Sequence, residues 1–127
     1  MNIKNVYVVD DDVIFHFIIK KLFLKSNLDV EVKFFFNGFE AVEALKENSE
    51  LPDLILLDIN MPIYDAWQFL DEFKKIKKSF DKEISVYLLS SSNDISDINK
   101  AVKYKSEIKK FYNKPVTIEE LRTIFSE

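Results

Sequence analysis

Apolar residues gather in short runs separated by polar breaks, and strand-like and helix-like spacings alternate along the chain. Val6-Tyr7-Val8-Val9 is a β-branched and aromatic run that stops abruptly at Asp10-Asp11-Asp12. A continuous apolar run marks a strand buried on both faces, as in a parallel sheet. Ile14, Ile18, Leu22 and Phe23 then recur at helical spacing, with Lys20, Lys21 and Lys25 on the other side. Asn27 is placed to stop that helix. Val30 to Phe36 predicts a second strand, followed by a turn at Asn37-Gly38. Ala41, Val42 and Leu45 mark a second helix, which Glu50-Leu51-Pro52-Asp53 breaks. Leu54 to Leu57 predicts a third strand ending at Asp58. Pro62 falls in a loop, and Trp67, Leu70, Phe73 and Ile76 form a third helical stripe. Ile84 to Leu89 predicts a fourth strand closed by Ser90-Ser91-Ser92, after which Asn93 or Asp94 caps a fourth helix through Tyr104. Lys110 to Asn113 is a fifth short strand, and Thr117 with Glu120 is a capping box opening a last helix with Leu121, Ile124 and Phe125.

Five strands alternating with five helices predict an α/β fold, a doubly wound parallel sheet with helices on both faces. Right-handed crossovers reduce the topologies to a few. A length of 127 residues suits one domain with its own core. The chain contains no cysteine, which excludes disulfides, cysteine-ligated metal and thiol catalysis. Its single histidine, His16, excludes a multi-histidine metal site, and its single glycine, Gly38, excludes a glycine-rich phosphate loop or dinucleotide fingerprint. The formal charge of −4, with both signs interspersed, lacks the basic footprint of a nucleic-acid binder. The run Lys74-Lys75-Ile76-Lys77-Lys78 reads as a solvated helix end, where cations suit the helix dipole. No apolar run approaches the roughly 20 residues of a membrane span, and no signal peptide precedes the first strand, so a cytoplasmic protein is expected.

In an open α/β sheet, ligands bind beyond the carboxyl ends of the strands. The residues there are Asp10 and Asp11 after the first strand, Asp58 after the third, Ser90 after the fourth, and Lys114 with Pro115 after the fifth. Two carboxylates about 4 Å apart repel by roughly 4 kcal/mol at an effective dielectric near 20. Three of them need a compensating cation or retained protons, and one lysine offsets only part of that charge. A hard divalent cation with oxygen ligands fits the remainder, Mg2+ above all. Asp12 reads instead as a helix cap.

Four segments in order carry a resemblance: Val8-Val9-Asp10-Asp11-Asp12, Leu54-Ile55-Leu56-Leu57-Asp58-Ile59-Asn60-Met61-Pro62, Leu89-Ser90-Ser91 and Phe111-Tyr112-Asn113-Lys114-Pro115. Together with Phe36-Asn37-Gly38-Phe39-Glu40-Ala41 they resemble the response-regulator receiver domain of two-component signalling, from about Asn5 to Phe125. The resemblance implies a flavodoxin-like sheet in the order 2-1-3-4-5, an order that comes with the likeness and not from the strand pattern. It implies that Asp58 accepts a phosphoryl group and that Asp11 binds Mg2+ directly. Asp10 would help through water, and Asn60 would give its backbone carbonyl. Lys114 would pair with a phosphoryl oxygen, Ser90 would hydrogen-bond another, and Phe111 would change its packing with state. The Lys114–Pro115 bond would be cis.

Several positions depart from the family pattern. Ala66 stands where glycine is commoner, Lys105-Ser106-Glu107-Ile108 replaces a small-residue turn, and Ser90 replaces threonine. The expected function is a phosphorylation-dependent switch, a single receiver domain over residues 1–127 without an output domain. It would be charged by a histidine kinase or phosphotransfer domain and would signal to a protein through the fourth helix, fifth strand and fifth helix. It would not be an enzyme beyond its own phosphorylation and dephosphorylation, and would be a monomer or a phosphorylation-linked dimer. The alternative is a receiver-like interaction module that works without phosphorylation, against which the complete set Asp10, Asp11, Asp58, Ser90 and Lys114 argues. Asp10-x-Asp12 also suggests a haloacid dehalogenase-type phosphatase, but Ile14 stands where that family wants threonine and the chain is short for that fold. His16, among apolar helix residues, reads as a packed or partly exposed residue and not as a phosphoryl donor.

Overall fold

The computed structural model describes residues 3–47, 49–61, 63–91 and 95–126. Pro62 of the expected loop, Ser92, and the candidate caps Asn93 and Asp94 lie outside the described residues. The elements run β1 (Asn5–Val9), α1 (Val13–Lys25), β2 (Glu31–Phe35), α2 (Gly38–Glu47), β3 (Leu54–Asp58), α3 (Ala66–Ile76), β4 (Ser85–Ser90), α4 (Ile95–Lys103), β5 (Lys110–Asn113) and α5 (Ile118–Ser126). A single 3-10 turn, Lys77–Ser79, prolongs α3. The strands form one parallel sheet in the order β2-β1-β3-β4-β5. The chain therefore reverses its direction of travel between β1 and β3, and that switch point opens at the carboxyl ends of the strands.

Burial follows the strand pattern. Every residue of β3 is buried, and its side chains alternate between two layers. Ile55 and Leu57 join Tyr7, Val9, Val86 and Leu88 against Leu45, Phe69, Leu70 and Phe73 from α2 and α3. Leu54 and Leu56 join Val6, Val8 and Tyr87 against Phe15, Ile19 and Phe23 of α1 and Leu121 and Ile124 of α5. The edge strand β2 is only partly covered, with Glu31 and Lys33 turned to solvent. Asp53, just before β3, accepts hydrogen bonds from the Lys4 and Asn5 amides at 2.8 and 2.9 Å and from Lys82 Nζ at 2.9 Å, tying the amino-terminal edge together. No described helix is long and apolar enough to cross a membrane.

Helix ends account for most of the turns. Asn27 has φ of 55°, the left-handed geometry that asparagine tolerates after a helix, and it ends α1 as its position implies. Thr117 and Glu120 form the expected capping box, with Thr117 Oγ1 accepting from the Glu120 amide at 3.0 Å and Glu120 Oε1 accepting from the Thr117 amide at 3.0 Å. Asp65 caps α3 in the same way with Gln68, so the helix begins directly at Ala66 without the family's glycine. Tyr104, expected inside the fourth helix, lies in the turn just beyond it.

Two expectations are corrected. Asn37-Gly38 is not a free turn: Asn37 Oδ1 accepts from the Glu40 amide at 2.9 Å, and α2 starts at Gly38. The apolar stripe of α1 also differs from the one expected. Phe15, His16, Ile19 and Phe23 are buried, Leu22 is half-buried, and Ile14 and Ile18 are exposed with Val13, Phe17 and Leu24. This helix is apolar on nearly every side, so periodicity alone does not choose a face. The Asp12 cap, whose Oδ1 accepts from the Ile14 amide at 2.9 Å, sets the phase at which α1 leaves the sheet.

Gly38 has an ordinary negative φ, and its requirement is for space. A Cβ there would stand 2.6 Å from Tyr64 Cδ1, 2.9 Å from the Tyr64 carbonyl oxygen and 3.2 Å from Phe69 Cβ. The backbone oxygen is held, because the Gly38 amide donates to it at 3.2 Å. Gly38→Ala is expected to destabilise the fold by about 1–3 kcal/mol in chemical denaturation, since α2 and the loop before α3 must separate; an unchanged midpoint would contradict this packing.

Candidate functional site

Strand ends deliver the site. β1 stops before Asp10, whose amide donates to the Phe35 carbonyl at 2.9 Å and so keeps the chain in the sheet for one residue more. Asp10 Oδ1 accepts from the Asp12 amide at 2.9 Å, which turns its carboxylate over the end of the sheet. Asp58 is the last residue of β3, paired with Leu89, and the Ile59 amide donates to the Leu89 carbonyl at 3.0 Å. The Lys114 amide donates to the Ser90 carbonyl at 2.7 Å, placing the lysine past the end of β5 with its stem free to reach back across the sheet. The Lys114–Pro115 bond is cis, as the resemblance implied.

Lys114 Nζ lies 2.5 Å from Asp10 Oδ2 and 3.1 Å from Asp58 Oδ1, and 4.3 Å from the centre of the Phe15 ring. Carboxylate oxygens of Asp10, Asp11 and Asp58 all lie within 4.8 Å of one another. Asp10 and Asp58 are buried and Asp11 is exposed, with no ion pair to Asp11 among the described residues. One ammonium therefore serves two buried carboxylates, while the third adds only negative charge. The set is all hard oxygen with an exposed carboxylate on its open side, a donor set that fits a divalent cation keeping several waters. The cleft continues outward as a cavity of about 460 Å³ lined by Asp11, Asn60, Met61, Asp65, Trp67 and Lys100, among others.

Electrostatics express the imbalance. Burial pushes the Asp58 carboxyl up from the usual 3.8 to about 6; the Asp10 charge adds to the rise and the Lys114 ammonium opposes it. Burial would lower the Lys114 ammonium, but its hydrogen bond to Asp10 and the charge of Asp58 outweigh burial, and its pKa stands above the ordinary value. Burial depresses His16, against an opposing pull from Asp10. This histidine packs between Phe34 and Phe36, with ring centres at 4.9 and 4.8 Å, and its Nε2 has no partner among the described residues. It is a packed residue turned away from solvent.

The structure thus brings Asp10, Asp11, Asp58 and Lys114 together at one edge, with Ser90, fully buried, ending the strand beside Asp58. Phe111 is half-buried and packs against the core layer of α2 and α3. It lines an apolar groove of about 390 Å³ with Ile98, Ala101, Val102 and Ile108, between α4 and β5. Tyr112 belongs to the opposite layer, beside Tyr87. Sequence reasoning missed Phe15 beneath the ammonium and Trp67 at the cleft. Trp67 read as a core position of the third helical stripe, where no local signal separates an aromatic at the margin of a core from one at its centre, and Phe15 lay outside the stripe expected for the first helix. Trp67 stacks on Tyr104 with ring centres 5.5 Å apart, and Tyr104 donates to Asp71 Oδ1 at 2.8 Å.

The model of the response regulator receiver domain matches residues 6–126. The chain is 33% identical over 92 residues to the chemotaxis protein CheY of Halobacterium salinarum, covering 71% of this chain and 72% of that protein. It is 30% identical over 88 residues to the sensor histidine kinase CheAY of Helicobacter pylori, covering 69% of this chain but only 10% of that much longer protein. A crystal structure of a two-component response regulator from Cytophaga hutchinsonii superposes with a TM-score of 0.85 at 29% identity, covering 99% of this chain and 96% of that one. With its strand order, its acidic pocket and this likeness along almost its whole length, the chain belongs to the response regulator receiver domain family of two-component signalling.

Proposed function

We propose that this chain is a phosphorylation-dependent switch whose acceptor is Asp58. The observation that supports this most is the position of Lys114, whose ammonium bridges Asp10 and Asp58 beside a third carboxylate. A structural ion pair would need one acid; three acids around one lysine leave negative charge that only a dication or protons can balance. Mg2+, held by Asp10, Asp11, Asp58 and the Asn60 carbonyl, would supply positive charge to the oxygens of the phosphoryl group. The donor is a phosphohistidine of a sensor kinase or phosphotransfer domain. An Asp58 carboxylate oxygen attacks phosphorus, the P–N bond breaks, and its electron pair leaves with the imidazole nitrogen, which takes a proton. Phosphoryl transfer demands alignment and charge neutralisation more than acid–base help. Lys114 meets that demand from one side, and the Ser90 hydroxyl receives another phosphoryl oxygen. Hydrolysis of the acyl phosphate resets the switch.

The acyl phosphate carries about −1.5 to −2 charge at the ends of β3 and β4, in place of the single negative charge of the ionised Asp58 carboxylate. The readout proposed is repacking of Phe111 and α4, exposed to a protein partner through the α4–β5–α5 face. α4 is suited to move: none of its described residues is buried, and Ile95, Ile98 and Val102 stand open to solvent. Elements with little buried apolar surface open at low free-energy cost.

Labelling with a phosphorylated phosphotransfer domain in Mg2+ is expected to be abolished by Asp58→Asn; persistent label at another residue would move the acceptor. The same substitution should stabilise the metal-free protein. The folded pKa of Asp58 lies above its ordinary value, so its stabilising contribution is complete below about pH 4 and is lost as pH rises through about 6. Asp58→Asn is thus expected to raise neutral-pH stability by about 3 kcal/mol in urea denaturation, with the gain vanishing towards pH 4. Because only the ionised carboxylate attacks, initial labelling by acetyl phosphate at sub-saturating Mg2+ should fall about tenfold between roughly pH 7 and pH 5. A flat profile there would contradict the raised pKa.

A further inference from the structure

A second cavity, of about 440 Å³, opens at the other end of the sheet. Ser85 and Val86 begin β4 and line it, whereas Ser90 closes β4 beside the acidic site, about 16 Å away along the strand. Its floor is apolar: Phe73, Ile84 and Val86 are buried, and Phe80 and Ile108 half-buried. One wall is the 3-10 turn that ends α3; the other is the segment leading from α4 into β5.

The rim carries Lys77, Lys78, Lys82 and Lys109 against Glu83 and Glu107. Lys77 is committed to Glu107 at 2.7 Å, an ion pair that joins the two walls, and Glu107 is almost wholly buried beneath it. Lys82 is committed to Asp53 Oδ1 at 2.9 Å and to the Leu51 carbonyl at 3.0 Å. Among the described residues, the ammonium groups of Lys78 and Lys109 carry no ion pair or hydrogen bond, and both side chains are exposed. In a chain of net charge −4, two uncommitted ammonium groups therefore border a hydrophobic floor. Cavities of a few hundred Å³ with an apolar lining and a few placed polar groups are the usual form of a small-molecule site.

We propose that this cavity binds a small amphipathic anion: an aromatic or aliphatic body bearing one carboxylate, sulfonate or phosphate. The body lies on Phe80, Phe73 and Ile108, and the anionic head pairs with Lys78 and Lys109. The two walls favour a small molecule over a flat protein surface. The site is separate from the acidic cluster and does not depend on what Asp58 does.

Naphthoate titrated into the 127-residue chain and followed by amide-resolved NMR tests this. Saturable shifts are expected over residues 77–86 and 106–109. The double variant Lys78→Glu with Lys109→Glu should weaken binding by about tenfold or more, and naphthalene-methanol, the uncharged counterpart, should bind about tenfold more weakly than naphthoate. Asp58→Asn should bind naphthoate like the unaltered chain. Both lysines are exposed, so a dispersed amide spectrum of the double variant checks that the fold is kept. The proposal is overturned if shifts centre instead on Ile98, Val102 and Phe111, if charge reversal leaves the affinity unchanged or raises it, if Asp58→Asn weakens binding, or if millimolar naphthoate causes no saturable change.

Discussion

One ammonium reaching across three strand ends is the interaction on which the site depends. Lys114 leaves the edge strand β5 and passes the end of β4 to meet Asp58 on β3 and Asp10 after β1. A long flexible stem makes that reach possible and sets the ammonium over the Phe15 ring. The lysine does not satisfy the pocket. It keeps two buried carboxylates together while burial and mutual repulsion still hold the Asp58 carboxyl at about 6. A pocket in this condition favours any arrival that brings positive charge, and it strains against whatever adds more negative charge.

The sheet supplies the rigidity this needs. Asp58 ends a strand buried along its whole length, flanked by β1 and β4, so its position is set by the most protected part of the molecule. The helices are held unequally. α1, α2, α3 and α5 each bury several side chains, whereas α4 buries none among its described residues. Among the described residues, the ties of α4 and the following segment to α3 include the Trp67–Tyr104 stack, the Lys100 ammonium over the Trp67 ring, the Tyr104–Asp71 hydrogen bond and the partly buried Lys77–Glu107 ion pair, beside the packing of Ala101, Tyr104 and Ile108 on the core. Attachments of this kind are worth about 0.5–1.5 kcal/mol each, far below the cost of uncovering a core helix. A rigid acidic end and a loosely moored helix are the two parts a charge-driven switch requires.

One departure from the family pattern falls in the same segment. Lys105-Ser106-Glu107-Ile108 stands where small residues are commoner, and Glu107 is the partner of Lys77 in the wall of the lower cavity. The lysine run at the end of α3 is accordingly more than a solvated helix end: Lys74, Lys75 and Lys78 are exposed, but Lys77 is half-covered and paired.

The order of elements, the doubly covered sheet and the acidic residues past β1 and β3 were legible in the chain because each rests on local rules. A parallel strand buried on both faces must be a continuous apolar run, and the polar residue that ends it must lie at the sheet's carboxyl edge. The capping box at Thr117 and Glu120 was legible for the same reason, since both partners lie within one turn. Packing decided the rest. α1 is apolar on almost every side, so its own spacing could not select Phe15, Ile19 and Phe23 over Ile14 and Ile18; the direction in which Asp12 launches it from the sheet made that choice. The alliance of Lys114 with Asp10 spans 104 positions, and Lys77 meets Glu107 across 30. No periodicity encodes contacts at such separations, because the distance between those side chains exists only once the strands have been laid side by side.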